Sequence, residues 1–170
     1  MWQVWYAFIK KLGDNAYISD KKCSSERMVE MYNHGHSGQA TEDRIFAEFP
    51  KLDSKIRVLI TTVAFGMGVN IPDISYVLHW GVPSTVVAYW QEVGRCARDG
   101  RPGRAIMYAY SRSINKSIVK PDMIDLCNRI GNGACIRKTV LGNFSELSTS
   151  SCPTGEDCCS NCAKSANCQT

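Results

Sequence analysis

An apolar run that breaks into two closely spaced glycines constrains the fold of this chain more than any other feature. Residues 56–62 read Ile-Arg-Val-Leu-Ile-Thr-Thr, which is the pattern of a buried β-strand. Gly66 and Gly68 follow, with Asn70 and Asp73 beyond them. Glycines after a strand let the backbone approach a ligand closely, and open α/β sheets bind ligands at the carboxyl ends of their strands. The segment therefore predicts an α/β ligand site, although two glycines also suit an ordinary turn.

A second segment places two arginines three positions apart. Residues 91–100 read Gln-Glu-Val-Gly-Arg-Cys-Ala-Arg-Asp-Gly, so that Gln91 precedes Arg95 and Arg98. A guanidinium is always charged, and its rigid set of donors suits phosphate oxygens. An arginine held against the terminal phosphate of a nucleotide stabilises the charge that develops in phosphoryl transfer. Two arginines at the end of a helix are also typical of a solvated face, so the spacing by itself leaves both interpretations open.

Helical and strand patterns alternate along the first 120 residues. Thr41 and Ser84 are predicted to cap two helices, and the strand near 74–80 is predicted to be buried. Alternation of this kind indicates a parallel α/β layer. Beyond Lys120-Pro121 the pattern becomes helical and then rich in cysteine and polar residues. The predicted helices cover residues 1–12, 41–49, 85–93, 122–130 and 134–141, and the predicted strands cover 16–18, 28–32, 56–62, 74–80 and 104–110.

In this order, the two segments resemble motifs V and VI of the superfamily 2 helicases, in the form typical of the RecQ family of DNA helicases. The resemblance rests on residues 62–73, 76–84 and 89–100, the last reading Tyr-Trp-Gln-Glu-Val-Gly-Arg-Cys-Ala-Arg-Asp-Gly. It implies a RecA-like parallel sheet over residues 1–120, expected to be the second motor domain of a helicase without its first, N-terminal strand. A small helical zinc-binding subdomain is expected to follow over 121–170. The family usually has Ala-Gly between the two arginines, where this chain has Cys96-Ala97.

The resemblance also implies roles for single residues. Arg98 is expected to be the arginine finger that reaches the γ-phosphate of ATP, while Arg95 and Gln91 couple the nucleotide state to domain closure. Other motif residues are expected to contact nucleotide or DNA, with the two threonines donating to phosphates of a single strand. These residues are Thr61, Thr62, Gly66, Gly68, Asn70 and Asp73. Three histidines are assigned no catalytic role: His34 and His36 are expected to be exposed, and His79 to be a hydrogen-bonded core residue.

Seven of the nine cysteines crowd into the last quarter of the chain. In an intracellular chain such clustering indicates metal more than disulfides. Cys159 and Cys162 form a Cys-x-x-Cys pair, the common arrangement for holding Zn²⁺, and Cys135 and Cys152 can complete a set of four. Cys158 competes with Cys159 for its place. RecQ proteins carry a zinc subdomain with this kind of ligand pattern, and a structural role is expected for it here.

The sequence contains no Gly-x-x-x-x-Gly-Lys-Ser/Thr loop and no Asp-Glu-x-His box, which belong to the first motor domain that holds ATP and Mg²⁺. The chain is therefore expected to act as part of an ATP-dependent 3′-to-5′ DNA helicase and to be inactive by itself. DNA, both single-stranded and at duplex junctions, is the expected partner, and a nuclear location is what a eukaryotic RecQ-like protein implies. The alternative is a truncated, non-catalytic zinc-containing module that binds nucleic acid or a partner.

Overall fold

Two pairs of β-strands and the helices around them make up the described part of the chain. The computed structural model describes residues 1–33, 37–62, 71, 73–144, 153 and 155–165. They divide into two units, the first formed by residues 1–75 and 95–104, the second by residues 76–94 and 105–170. The elements are α1 (Trp2–Leu12), β1 (Val29–Tyr32), α2 (Gln39–Glu48), β2 (Val58–Thr61), β3 (Tyr76–Trp80), α3 (Val86–Val93), β4 (Arg104–Tyr108), α4 (Pro121–Gly131), α5 (Ile136–Leu141) and α6 (Ser160–Lys164).

The first unit is built on the parallel pair β1–β2. Val29 lies opposite Val58, and Tyr32 lies opposite Thr61. A small core forms beneath this pair, because alternate strand residues and one face of α2 bury their apolar side chains together. Its buried members are Tyr32, Ile45, Ile56 and Ile71. Helix α1 is joined to the same pair by the Trp5 indole, whose Nε1 donates to the carbonyl oxygen of Val29 at 3.2 Å.

A buried carboxylate lies inside this first unit. Glu30 on β1 has a side chain that is only 2% exposed, and it forms ion pairs with Arg44 on α2 and with Arg27, whose Nε lies 3.3 Å away. The Arg27 guanidinium also lies over the Trp5 ring, 5.4 Å from its centroid. Two arginines thus compensate the buried charge and tie α1 and α2 to the strand.

In the second unit, helix α3 shares a core with the helices that follow residue 120. The buried residues of this core are Val86, Tyr89, Val119, Met123, Leu126 and Val140. The backbone N–H of Val86, at the start of α3, donates to the Asp122 carboxylate of α4 at 3.0 Å. The Trp90 and Phe144 rings lie 5.4 Å apart, so an aromatic contact joins α3 to the residues after α5. The predicted division of the chain at residue 120 stays a prediction.

Strands β3 and β4 pair with each other. The N–H of Arg104 donates to the carbonyl oxygen of Ser75, and the N–H of Gly81 donates to that of Tyr108. Residue numbers therefore increase in the same direction along both strands, and the pair is parallel. The expectation of an α/β fold with parallel strands is therefore confirmed.

Several predicted details differ from the structure. Helix α2 begins at Gln39, with Gly38 as its N-cap. Thr41 lies inside the first turn, because its N–H and that of Glu42 donate to the carbonyl oxygen of Gly38, at 2.8 and 3.1 Å. Thr85, not Ser84, caps α3: its Oγ1 accepts from the N–H of Ala88 at 3.0 Å. Residues 16–18 form no strand; a 3-10 turn, Gly13–Ala16, precedes a single bridge between Tyr17 and Arg27.

Strand β3 was predicted to be buried, and that prediction is wrong for one of its faces. Tyr76, Leu78 and Trp80 are each more than half exposed, whereas Val77 and His79 are partly buried. Successive residues of a strand point to opposite faces, and the core of the second unit covers only one of them.

Among the described helices, none combines the length and the apolar composition that a membrane crossing needs.

Candidate functional site

The two arginines of the second motif flank a tight turn whose backbone is well defined. Ala97 between them has a φ of +59°, in the left-handed region that L-residues other than glycine seldom adopt. Its N–H donates to the carbonyl oxygen of Ile74 at 2.9 Å, and its carbonyl accepts from the N–H of Gly100 at 3.3 Å. The left-handed residue is what turns the chain sharply enough to close both bonds.

Small residues are required on both sides of this turn. The Cys96 sulfur lies 3.3 Å from the carbonyl oxygen of Ser75 and 3.8 Å from that of Arg104. A Cβ added to Gly103 would meet the Cys96 sulfur and would lie 2.9 Å from the Cβ of Ala97. Cys96 thus connects the residue before β3 to the first residue of β4, and Gly103 leaves it the space. Neither the close approach of Gly103 nor the role of Cys96 was predicted, because the first depends on how a short loop closes and the second on a contact with Ser75, which is distant in sequence.

The charged residues of this segment differ in their burial and in their pairing. Arg95 is partly buried, and Arg98 is exposed. Asp99 accepts from the N–H and the Nε of Arg101, at 3.0 and 2.6 Å, and this pairing holds the pKa of the Asp99 carboxyl below its usual range. The pKa of Arg101 is raised mainly by Asp99, with a smaller contribution from the charge of Asp73. The first unit therefore brings Asp73 within electrostatic reach of Arg101.

The remaining predicted nucleotide and DNA contacts are only partly described. Thr61 ends β2 and Thr62 follows it; both are exposed, and the Thr61 hydroxyl donates to the carbonyl oxygen of Thr62 at 2.9 Å. Gln91 is exposed on α3 and belongs to the second unit. Gly66, Gly68 and Asn70 lie outside the described residues.

His79 is a hydrogen-bonded residue of the second unit, as predicted. Its Nε2 lies 2.7 Å from the Glu92 carboxylate of α3, and its ring packs 5.3 Å from that of Tyr89. Among the described residues, no partner is found for its buried Nδ1. His34 and His36 lie outside the described residues.

Four cysteine sulfurs converge in the second unit. The ligand atoms of Cys135, Cys158, Cys159 and Cys162 all lie within 4.8 Å of one another. The Cys135 sulfur lies 3.5 Å from that of Cys158 and 4.0 Å from that of Cys159. Three of the four predicted ligands are therefore together, and Cys158 lies among them, whereas Cys152 and Cys168 lie outside the described residues. Cys127 is partly buried apart from this group, and its burial raises the pKa of its thiol.

The chemistry and spacing of these sulfurs fit Zn²⁺. A tetrahedral site with Zn–S bonds of about 2.3 Å needs sulfurs about 3.8 Å apart, which is close to the spacing found. Cys135 and Cys159 each stand at the N-cap of a short helix, and each sulfur accepts a backbone N–H at 3.5 Å, from Lys138 and Cys162 respectively. Such N–H donors stabilise thiolates, which are the form that binds metal.

The adjacent cysteines differ in acidity when no metal is present. Burial raises the pKa of the Cys158 thiol to about 12. Burial also opposes ionisation of Cys159, but backbone N–H groups, that of Cys162 first, outweigh it and lower the pKa of Cys159 to about 6. Cys159 is therefore the more acidic member of the pair.

Asn161, inside the Cys-x-x-Cys pair, holds the cluster against the preceding helices. Its Nδ2 donates to the carbonyl oxygens of Ile130 and Ala134, both at 2.8 Å. These two carbonyls belong to the end of α4 and to the loop before Cys135. A single amide thus fixes the turn that carries Cys159 and Cys162 to the loop that carries Cys135.

Comparisons with known proteins identify the family of the first hundred residues. Residues 6–100, more than half of the chain, match the model of the helicase conserved C-terminal domain. The ATP-dependent helicase SGS1 of Saccharomyces cerevisiae is 29% identical over 89% of this chain and 12% of its own length, and the ATP-dependent helicase wrn-1 of Caenorhabditis elegans is 29% identical over 88% and 16%.

A third relative, the RecQ-like DNA helicase blm-1 of Caenorhabditis elegans, is 34% identical over 57% of this chain and 10% of its own length. The chain thus spans only a small part of these relatives. Among solved structures, the C-terminal domain of the DEAD-box protein Dbp5 is similar, with a TM-score of 0.48, 21% identity, and coverage of 87% of this chain and 68% of that one. The segment that matches the family model, residues 6–100, contains both arginines and the whole turn around Ala97. The chain therefore belongs to the helicase conserved C-terminal domain family, and its relatives include RecQ-like helicases.

Proposed function

We propose that this chain is the second motor domain and zinc module of a RecQ-like, ATP-dependent, 3′-to-5′ DNA helicase. The observation that carries the proposal is the family match over residues 6–100, which includes the complete arginine turn. In this role the chain closes against an ATP-binding motor domain that holds ATP and Mg²⁺. Opening and closing of the two domains then moves a single DNA strand.

Within this scheme Arg98 is the arginine finger. It is exposed, and it follows a left-handed turn that is held to the chain before β3 by the bond between Ala97 and Ile74. A rigid turn suits this task, because a finger must meet a phosphate in one geometry. Arg95, partly buried on the other side of the turn, and Gln91 on α3 couple the nucleotide state to domain closure.

The remaining motif residues bind nucleotide and DNA. Thr61 and Thr62 are exposed at the carboxyl end of β2, where parallel sheets bind ligands, and they donate to phosphates of the single strand. For Thr61, the phosphate replaces the carbonyl oxygen of Thr62 as the acceptor of its hydroxyl. Gly66, Gly68, Asn70 and Asp73 line the interface with the nucleotide. Single-stranded DNA and duplex junctions are the proposed substrates, and the nucleus is the proposed location.

The zinc module has a structural role in this proposal. Cys135, Cys159 and Cys162 bind Zn²⁺ together with a fourth thiol, for which the sequence pattern gives Cys152 and the described structure offers Cys158. The metal holds α6 and its preceding turn against α4 and α5, a region too short to build much core of its own. The alternative is that the whole chain is a non-catalytic module that only binds nucleic acid or a partner. Such a module would not need the arginine turn.

The arginine assignment is tested by Arg98→Ala in a chain that also carries an ATP-binding motor domain. DNA-stimulated ATP hydrolysis is expected to fall by about 10³-fold or more, with DNA binding largely retained. Arg101→Ala is the matched control, because Arg101 is an exposed arginine of the same segment that pairs with Asp99. Hydrolysis that is unchanged by Arg98→Ala, or lost equally in both variants, would contradict the assignment.

A further inference from the structure

We propose that the exposed face of β3 and β4 is a stacking platform for the unpaired bases of single-stranded DNA. The platform is defined by four exposed aromatic side chains, Tyr76, Trp80, Tyr108 and Tyr110. It belongs to the second unit and includes none of the arginines, threonines or cysteines described above. The inference rests on the proposed function only in its choice of DNA, because every unpaired base has a face that can stack on an aromatic ring.

The pleat and pairing of the two strands bring these rings to one face. Side chains alternate along a strand, so Tyr76 and Trp80, an even number of positions apart, lie on the same side. The N–H of Gly81 donates to the carbonyl oxygen of Tyr108 at 3.1 Å, which in a parallel ladder puts Tyr108 opposite Trp80. The Trp80 ring lies 5.8 Å from that of Tyr108 and 6.4 Å from that of Tyr110, between centroids.

This face is open to solvent, although parallel strands normally have both faces covered. The exposed fraction is 68% for Trp80, 57% for Tyr76 and 50% for Tyr108, and Leu78 between the first two is 56% exposed. The Trp80 ring is tilted by 51° and 54° to its two tyrosine neighbours, so these rings are not stacked on one another. Their faces are therefore available to a ligand, and an exposed apolar patch of this kind marks a binding surface.

The end of the platform is held in place by the turn that follows β4. The N–H of Tyr110 donates to the Ser113 hydroxyl at 3.1 Å, and this hydroxyl donates to the carbonyl oxygen of Tyr110 at 2.7 Å. A Cβ added to Gly81 would lie 3.2 Å from that of Ser113 and 3.8 Å from the Tyr110 phenol oxygen. Tyr110 thus occupies space that glycine leaves beside Trp80, and a ring that is already positioned loses little entropy when a base stacks on it.

Charge favours an anionic partner over an apolar protein surface. The segment 75–91, which contains β3, has no aspartate or glutamate, and the segment 104–120, which contains β4, has four basic residues and no acidic one. Two of the four, Arg112 and Lys116, are exposed shortly after Tyr110. Aromatic rings that receive bases and cations that follow the phosphates are the combination by which single-stranded nucleic acid is bound without sequence preference.

The first test measures the binding of dye-labelled oligodeoxythymidylate to the full chain by fluorescence anisotropy, without ATP. Trp80→Ala and Tyr108→Ala are each expected to raise the Kd about 10-fold, because each removes one stacking ring. Trp2→Ala is the matched control, since Trp2 is 61% exposed on α1 in the other unit, and it should leave the Kd unchanged. An unchanged Kd in both platform variants, or an equal rise in the control, would overturn the platform. The assignment of Arg98 would stand in either case, because ATP hydrolysis does not enter the measurement.

A second pair of variants separates stacking from apolar docking and keeps a large side chain at the position. Trp80→Phe retains an aromatic ring and is expected to keep most of the affinity, whereas Trp80→Leu should lose about 10-fold. Equal affinities of the two variants would indicate a surface for an apolar protein helix and would overturn the proposal. Tighter binding of oligouridylate than of oligodeoxythymidylate by wild type would overturn the choice of DNA.

The salt dependence of binding tests the two cations. Each phosphate contact on a single strand contributes about 0.7 to the slope of the logarithm of affinity against the logarithm of salt concentration. The double variant Arg112→Gln with Lys116→Gln is therefore expected to reduce this slope by about 1.4. A slope that stays as in wild type would overturn the assignment of these two residues to the DNA backbone.

Discussion

The backbone N–H of Ala97 donates to the carbonyl oxygen of Ile74 at 2.9 Å, and it does so from a left-handed conformation with φ at +59°. This conformation explains why the RecQ family usually has glycine at this point between its two arginines. Glycine adopts such angles freely, while alanine is strained by its Cβ. The chain therefore keeps the shape of the arginine turn at a cost in stability.

We expect Ala97→Gly to stabilise the chain. Relief of the left-handed strain exceeds the extra flexibility that glycine gives the unfolded chain, so the free energy of unfolding should rise by roughly 0.5–1 kcal/mol. Urea denaturation followed by far-ultraviolet circular dichroism measures the change. A lower free energy of unfolding would mean that the Cβ of Ala97 contributes packing that outweighs its strain.

The opposite change at Gly103 is expected to destabilise the same turn. A Cβ at this position would lie 2.9 Å from that of Ala97 and would meet the Cys96 sulfur, so the turn must shift. Overpacking of this kind costs about 1–3 kcal/mol, and Gly103→Ala should lower the denaturation midpoint accordingly. Gly131→Ala is a suitable control, because a Cβ there meets no atom within 4 Å. Equal effects of the two changes would argue against close packing at the turn.

Removal of one partner from the buried ion pair of the first unit is expected to be costly. Arg44→Met leaves the Glu30 carboxylate buried, with Arg27 as the arginine still paired with it. The loss should be about 2–3 kcal/mol in the free energy of unfolding, somewhat below that of a pair with no second arginine. Urea denaturation at neutral pH measures it.

The double variant Glu30→Met with Arg44→Met gives the contrasting result. With both charges removed, no carboxylate remains unpaired in the core, so the double variant should recover much of the stability lost in Arg44→Met. Losses that simply add would show that the two side chains act independently.

Asn161→Ala is expected to weaken both the fold of the second unit and its hold on metal. The substitution removes two hydrogen bonds and leaves the carbonyls of Ile130 and Ala134 without these donors, which should cost about 2 kcal/mol. Release of zinc to a chelator should accelerate in the same variant, because the turn that carries two ligands is no longer fixed.

Asn143→Ala is the matched control for this effect. The amide of Asn143 also donates at 2.8 Å, but to the carbonyl oxygen of Thr139 in α5, the helix that ends just before it. It should change stability less and leave the rate of zinc release unaltered. Equal acceleration in both variants would count against a positioning role for Asn161.

Local patterns predicted much of the fold because they depend on near neighbours. The helices α1, α3 and α4 and the strands β1 and β2 follow from apolar spacing, and they end close to the predicted positions. The exposed face of β3 could not be predicted, because apolar residues such as Leu78 and Trp80 do not tell how many layers cover a strand. The N-cap of α3 is Thr85, one residue after the predicted Ser84, because serine and threonine are both favoured as N-caps and the sequence alone does not decide between them.

In the candidate site, too, the short motifs were predictable and the contacts between them were not. Arg95, Arg98 and the Cys-x-x-Cys pair were recognisable as short motifs, and the structure brings Cys135 to that pair across more than twenty residues. Cys158 was considered only as an alternative to Cys159, and the convergence of both was not predicted, because adjacent cysteines diverge unless the backbone changes conformation between them. The contacts of Gly103 with Cys96 and Ala97 likewise depend on how the short loop between these residues closes, which the sequence does not specify.

The bond from Val86 to Asp122 joins the first turn of α3 to α4, and the shared core continues from there to α5. Helix α3 carries Gln91, while α5 begins directly after a cysteine of the cluster. Cooperative units open and close together, so α3 and the cysteine cluster should behave as one foldon in amide hydrogen exchange. With the proposed zinc bound, chelation would loosen the helix that carries Gln91, and the supply of zinc would set how firmly the proposed helicase senses its nucleotide.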